Sequence, residues 1–229
     1  MVVVLGSGGH TSEMMSLLRD IDVRRYTHRT YIVSSGDDFS AVKANDLEDR
    51  FMEKAKKAIS SPNISLELPE QNSINKASHD LTAALSGRWE VKNVPRARKI
   101  YQPLWSTPFS SIWCLISCLK ALLGASRDNA TDDELVKFPD VIVTNGPGTA
   151  IIVILASYIL KFFAVAPLWK MKVIYIESWA RVKTLSLSGK ILLWTGLFDR
   201  FLVQWEELAR AVKGKRNGKR VEWRGFLVD

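Results

Sequence analysis

Apolar positions along this chain alternate between two patterns: short β-branched runs, and longer stretches with helical spacing, joined by polar or glycine-bearing turns. Val2-Val3-Val4-Leu5 leads through Gly6–Glu13 to Met14, Leu17, Leu18 and Ile21, which predicts strand, tight turn and helix over residues 2–21. A second strand is expected at Thr30–Ser34, with the turn Ser35-Gly36-Asp37-Asp38 behind it. Residues 41–60 read as a helix. Their charges (Lys43, Asp46, Glu48, Asp49, Arg50, Glu53, Lys54, Lys56 and Lys57) are expected to form a solvated face. Residues 61–88, rich in Ser, Asn and Pro, are expected to form a surface loop or flexible insertion. Trp89–Val91 reads as a short strand.

The second half repeats the alternation. The apolar, aromatic stretch from Leu104 to Leu123 follows four basic residues, Lys92, Arg96, Arg98 and Lys99. It fits a membrane interface or an amphipathic core helix equally well. A polar loop spans residues 124–137. Strands are expected at Phe138–Val143, Lys172–Glu177 and Arg200–Trp205, and helices at 150–160, 185–195 and 206–212. Residues 150–169 are the one stretch that reads as a possible transmembrane span, but Lys161 and Pro167 interrupt it, and a buried helix fits better. The basic run Lys213–Arg220 contains Asn217-Gly218 and suggests a solvated hairpin. Together these elements predict an α/β fold with a doubly wound, mostly parallel Rossmann-like sheet, as a single domain over residues 1–229.

Composition narrows the partners. The chain has 229 residues, 47% of them hydrophobic, so it can fill a sizeable core. A net charge of +8 and a pI near 9.5 point to acidic partners such as phosphate, anionic lipid or nucleic acid. Nucleic acid rests on charge and the 213–220 run alone, and is not expected. Cys114 and Cys118, four apart in an apolar stretch, read as small core residues. Three scattered histidines and the lack of an Asp-x-Asp string at a strand end give no reason to expect a metal, and no cofactor is expected. No secretory signal is visible, so the sequons at Asn63 and Asn129 read as chance.

The loop Gly6-Ser7-Gly8-Gly9-His10-Thr11-Ser12-Glu13 carries the strongest chemical signal. Glycines allow close approach of a ligand, and the helix behind them presents free N–H groups to an anion. Thr11 stands where a dinucleotide fingerprint has its third glycine, and no Walker-type string occurs. Asp37 and Asp38 come late for a ribose-binding acid, which weighs against a nucleotide-dependent oxidoreductase. A generic turn with a solvated His and a capping Glu is the plainer alternative. Gly8–Glu13, Asn145–Thr149 and Glu177–Arg181 all fall at the carboxyl ends of expected strands, where one crevice can gather them.

Gly8-Gly9-His10-x-x-Glu13, Asn145-Gly146-Pro147-Gly148-Thr149, and Glu177-Ser178-x-Ala180-Arg181 before Leu185-Ser186-Leu187-x-Gly189-Lys190 resemble one family's motifs in order. Pro95–Arg98 with Gln102, and Val203-Gln204-Trp205, are similar to it as well. The family is the membrane-anchoring subunit of the two-subunit N-acetylglucosaminyltransferase that adds the second sugar to dolichol diphosphate. Residues 52–88 and 124–137 match it least. The resemblance implies the acceptor-side, N-terminal half of a GT-B glycosyltransferase, similar to that domain of the bacterial lipid-linked N-acetylglucosaminyltransferase of peptidoglycan synthesis. It implies a small separate subunit that binds UDP-N-acetylglucosamine, a dolichol diphosphate acceptor, and the cytosolic face of the endoplasmic reticulum membrane. Family members usually begin with an anchoring hydrophobic helix, which this sequence does not show. Either the chain is truncated, or its start is assigned late, or attachment rests on the basic and aromatic surface.

For inverting transfer, His10 is the first candidate for the base and Glu13 the second; the other reading of Glu13 is a first-turn acid that complements the helix dipole. Gly8, Gly9 and the Gly146–Thr149 loop, which Pro147 shapes without an N–H of its own and in which Gly148 precedes Thr149, are expected to offer N–H donors to a diphosphate. Arg96 and Arg98 are expected to neutralise acceptor phosphates. Glu177 is expected to bond a sugar hydroxyl or hold Arg181. Thr11, Asn145 and Ser178 complete the expected substrate-binding set. The competing reading is a non-catalytic scaffold that recruits its partner to the membrane, with Phe226-Leu227-Val228 as a docking strip.

Overall fold

The computed structural model describes residues 1–59, 86–97, 105, 107–124, 138–146 and 148–226. β1 (Val2–Val4) lies inside a seven-stranded sheet, between β2 (His28–Ser34) and β4 (Val141–Thr144). Outward from β2 comes β3 (Arg88–Val94). Outward from β4 come β5 (Lys172–Ile176), β6 (Arg200–Val203) and β7 (Val221–Trp223). The order is β3-β2-β1-β4-β5-β6-β7 and every pairing is parallel. This is a Rossmann-like, doubly wound sheet, and its direction of winding switches between β1 and β4.

The run of valines in β1 follows from that central place. Val2 and Val4 enter a core with the helices α3 (Thr107–Gly124) and α4 (Thr149–Phe162); Val3 and Leu5 enter another with α1 (Gly9–Leu18) and α2 (Asp38–Ile59). A strand buried on both faces reads as a continuous apolar run rather than an alternation. Val2, Ile142 and Val173 are register partners and share the α3–α4 side. Val173 and Tyr175 on that side pack with α5 (Leu187–Thr195) and α6 (Glu206–Val212), so four helices cover this face and two the other.

Several expectations change. β3 has seven residues rather than three; as an edge strand it keeps polar, half-exposed side chains that hid its length. β6 and β7 pair in parallel across α6, so Lys213–Arg220 is not a hairpin. Asn217 instead takes a left-handed conformation, with φ 58°, ahead of a 3-10 turn at Gly218–Arg220. Residues 150–169 are not one span: α4 ends at Phe162 and the chain turns at Ala164. Among the described residues, α3 is the helix long and apolar enough to cross a membrane by length and composition. Its Cys114 and Cys118 are free thiols packed in the core. The insertion at 61–88 and the loop at 124–137 lie, apart from Ser86–Arg88 and Gly124, outside the described residues, as do both sequons.

The charged helix α2 also departs from expectation. Glu48 is fully buried rather than solvated. Both its oxygens bind the fully buried Arg29, at 2.7 and 2.5 Å, and Tyr31 donates to it at 2.6 Å. Arg29 also donates to the carbonyls of Tyr26 and Ser86, which fastens the start of β3 to β2. Removing one member of such a pair strands the other charge in the core. Glu48→Ala is expected to destabilise the chain by about 3–5 kcal/mol, read as a lowered urea midpoint.

Candidate functional site

Two adjacent loops at the switch point share one design. Gly8 is the N-cap of α1 and Gly148 that of α4, both with φ 62°, and neither helix has a side-chain cap. Positive φ favours glycine here. A Cβ built on Gly8, Gly9 or Gly148 would meet nothing within 4 Å, so the space before both helix starts is open. The loops touch through a second pair of glycines. A Cβ on Gly146 would lie 2.9 Å from the Cα of Gly6, and one on Gly6 would lie 2.9 Å from His10 Cβ. Helix starts with uncapped N–H groups beside open space suit a phosphate or diphosphate.

Beneath them lies a buried carboxylate. Glu13 is 3% exposed and is the fifth residue of α1, so it is neither a first-turn acid nor a cap. Its Oε1 accepts from the backbone N–H of Trp179 at 2.7 Å and from Gln204 Nε2 at 2.5 Å. Its Oε2 accepts from Asn145 Nδ2 at 3.4 Å. Asn145 also donates to the carbonyl of His10 at 2.8 Å, and Gln204 to that of Glu177 at 3.3 Å. One carboxylate thus ties α1 to the chain leaving β4, β5 and β6.

His10 stands above this cluster with 33% of its side chain exposed. Its buried Nδ1 has no hydrogen-bonding partner among the described residues and lies 3.9 Å from Glu13 Oε2. Burial lowers its pKa, Glu13 opposes that shift, and the Arg181 guanidinium adds to it. The imidazole is therefore neutral at pH 7 and able to take a proton.

The remaining expected residues divide. Thr11 is fully buried; its hydroxyl bonds the carbonyl of Gly6 and Ser40 Oγ, fixing the loop from behind. Thr149 is buried against Ser34 Oγ at 2.9 Å. Ser178 is buried and caps the turn into Arg181, which is exposed. Arg96 reaches the same end of the sheet but is held at the β2–α2 turn by the carbonyls of Ser35 and Gly36, 3.0 and 3.3 Å away. Asp37 is spent on Ser40 at the start of α2. Arg98, Gln102 and Pro147 lie outside the described residues, as do Leu227 and Val228.

Glu177 serves the interior. It is 1% exposed and its Oε2 accepts from Ser186 N and Oγ at 3.2 and 3.1 Å; Ser186 in turn caps α5 at Gly189. No ion pair joins it to Arg181 among the described residues. Burial raises its pKa, against the pull of the Ser186 and Ser178 bonds. Gly189 is required by this packing, since its Cβ would sit 2.1 Å from Glu177 Oε2. Gln204 and the Trp179 amide were not among the expected site residues. The signals for Gln204 are its place in the family-like segment Val203-Gln204-Trp205 and a polar residue near the end of an apolar strand.

The chain matches the family model "Oligosaccharide biosynthesis protein Alg14 like" over residues 1–221. It is 35% identical to UDP-N-acetylglucosamine transferase subunit alg14 of Aspergillus fumigatus, over 94% of this chain and 100% of that protein. It is also 35% identical to the protein of that name from Schizosaccharomyces pombe, over 93% of this chain and 79% of the relative. To the Mus musculus protein it is 28% identical, over 91% and 76%. No solved structure matches it.

The raised pKa of Glu177 gives a signed pH effect. The folded chain holds this proton more tightly than the unfolded one, so Glu177 costs stability as pH rises from its ordinary 4.5 through the raised folded value. Urea midpoints measured across that window are expected to lose this slope in Glu177→Gln. Gly189→Ala is expected to destabilise by about 1–3 kcal/mol at any pH through overpacking.

Proposed function

The chain belongs to the Alg14-like family of oligosaccharide biosynthesis proteins, and from that premise we propose that it is the acceptor-side subunit of a UDP-N-acetylglucosamine transferase. In this reading the chain is one acceptor-side GT-B domain that binds a dolichol diphosphate N-acetylglucosamine at the cytosolic face of the endoplasmic reticulum. A small partner subunit brings UDP-N-acetylglucosamine, and together they add the second sugar. The observation that carries the reading is the pair of adjacent glycine-capped helix starts beside open space, with the half-exposed His10 in the first turn of one of them. Their N–H groups suit a diphosphate, and the neutral imidazole suits the proton of an attacking hydroxyl.

The transfer is inverting. The acceptor hydroxyl oxygen forms a bond to the anomeric carbon of the donor sugar as the bond from that carbon to UDP breaks. UDP leaves with the electron pair, and the hydroxyl proton passes to His10 Nε2. Nδ1, held toward Glu13, meets the carboxylate as the ring becomes cationic. Glu13 is then a positioning residue, because its oxygens are committed to Trp179, Gln204 and Asn145. Arg181, exposed and close enough to bias His10, is placed to meet phosphate.

The scaffold reading has one observation in its favour: Glu13 and Glu177 are both engaged inside the protein. His10 distinguishes the two readings. In a reconstituted two-chain assay with a short-chain polyprenyl diphosphate acceptor, His10→Ala is expected to lower kcat by roughly 10²–10⁴-fold. Wild-type kcat/KM is expected to fall only at pH values below the ordinary histidine range, because the pKa of His10 is depressed. Unchanged turnover in His10→Ala would leave the scaffold reading. No product with both chains present, and no binding of the lipid diphosphate, would overturn the acceptor assignment.

A further inference from the structure

The turn at Ser178–Arg181, which follows β5, is tied down along its backbone. Glu177 N–H donates to the carbonyl of Leu202 at 2.8 Å, and Trp179 N–H to Glu13 Oε1 at 2.7 Å. Ala180 N–H donates to Ser178 Oγ at 3.4 Å, and Arg181 N–H to the carbonyl of Ser178 at 2.9 Å. The carbonyl of Trp179 accepts from Trp205 Nε1 at 2.6 Å, and the Trp205 ring stands edge-on to Phe226, with 5.5 Å between centroids. The backbone of Trp179 is thus held on both sides, and its side chain is left over. The indole is 50% exposed. Among the described residues it has no stacking or cation–π partner, and its Nε1–H meets no acceptor.

This turn borders His10. One carboxylate separates the two: Glu13 Oε1 accepts from the Trp179 amide, and Glu13 Oε2 lies 3.9 Å from His10 Nδ1. Two residues further on, Arg181 is exposed and near enough to bias the same imidazole. Ala180, between them, is exposed and adds little bulk. The turn therefore presents, in order, an aromatic ring, a methyl group and a guanidinium beside a neutral imidazole.

We propose that Trp179 is the sugar platform of the acceptor site: its indole stacks on the ring of the acceptor N-acetylglucosamine, whose hydroxyl gives its proton to His10. The proposal rests on the acceptor reading above and deepens it by assigning a residue that recognises the sugar. A pyranose of gluco configuration carries its substituents from C2 to C5 equatorially, so its faces are largely C–H. Those hydrogens, made positive by the neighbouring oxygens, suit the negative face of an aromatic ring. The free Nε1–H can donate to a hydroxyl or to the N-acetyl carbonyl. Only two side-chain torsions have to be fixed, so little entropy is lost on stacking. In a sugar 1-diphosphate the ring and the phosphates are joined at one carbon, and Trp179 and Arg181 offer their two complements two residues apart. Glu13 aligns the whole: the carboxylate that holds the Trp179 backbone also lies under His10, so the ring that orients the sugar and the base that takes its proton share one anchor.

The test titrates the full chain with two probes, a short-chain polyprenyl diphosphate with N-acetylglucosamine and the same lipid diphosphate without it. The wild-type chain is expected to bind the sugar-bearing probe more tightly, by roughly tenfold. Trp179→Ala is expected to bind the two probes alike, with its affinity for the bare probe unchanged, and Trp179→Phe to keep most of the preference. In the two-chain assay, Trp179→Ala is expected to raise the KM for the acceptor by roughly tenfold and to leave the KM for UDP-N-acetylglucosamine as it is. Equal binding of both probes by the wild-type chain would overturn the proposal and leave the diphosphate reading standing. A Trp179→Ala chain that keeps the preference would overturn it too. So would one that loses the bare probe as well, changes only the KM for the donor, or no longer holds the partner subunit, since the ring would then serve the fold, the nucleotide or the partner. Failure of the wild-type chain to bind either probe would remove the acceptor reading itself, and the proposal with it.

Discussion

A buried carboxylate must be met by donors on every side that water would otherwise occupy. Glu13 imposes that requirement at the place where the sheet changes direction, and much of the site's geometry follows from it. The turn after β5 must bring an amide N–H, β6 must end in a side chain that can donate, and the chain leaving β4 must supply another. Asn145 and Gln204 each use their amide nitrogens twice, once on Glu13 and once on a backbone carbonyl of a neighbouring segment. The network therefore joins a helix to the chain leaving three neighbouring strands of the sheet. His10 receives its setting from the same source, since the carboxylate below it is fixed and the carbonyl behind it is held by Asn145.

A second carboxylate works in the same way one strand further along. Glu177 is surrounded by the amide and hydroxyl of Ser186, and room for it exists because residue 189 has no side chain. The Tyr175 hydroxyl meets the same serine oxygen at 3.1 Å. Seen together, Glu13, Glu48 and Glu177 are three acids in the interior, each matched to donors from another part of the chain. Such groups contribute to specificity of arrangement more readily than to net stability, because their desolvation offsets much of what their bonds return.

The parallel strands and their helices were legible because burial on both faces leaves a direct mark, a β-branched run, and because each run is followed by helical spacing. β3 was read too short, since an edge strand carries polar residues that do not advertise it. The glycine loops were legible as chemistry, yet the contact between Gly6 and Gly146 was not, because nothing in either loop names the other. Glu48 looked like any other charge of α2; its partner lies nineteen residues away on β2, and only the fold brings them together. The same limit applies to Gln204, whose partner Glu13 is near the other end of the chain. The apolar outer side of α3 was visible as composition, but its exposure depends on which face the core claims, and Cys114 and Cys118 made that choice.

The abutting glycines have a consequence for how the crevice meets a ligand. With backbone against backbone, the two loops have no side chain between them to compress or withdraw, so the distance between the starts of α1 and α4 is set by the sheet itself. The opening has a fixed aperture. An anion entering it finds its donors already spaced, and little ordering entropy is lost on arrival. Under the proposed function, discrimination between one sugar and another would then come from parts of the site that can still adjust.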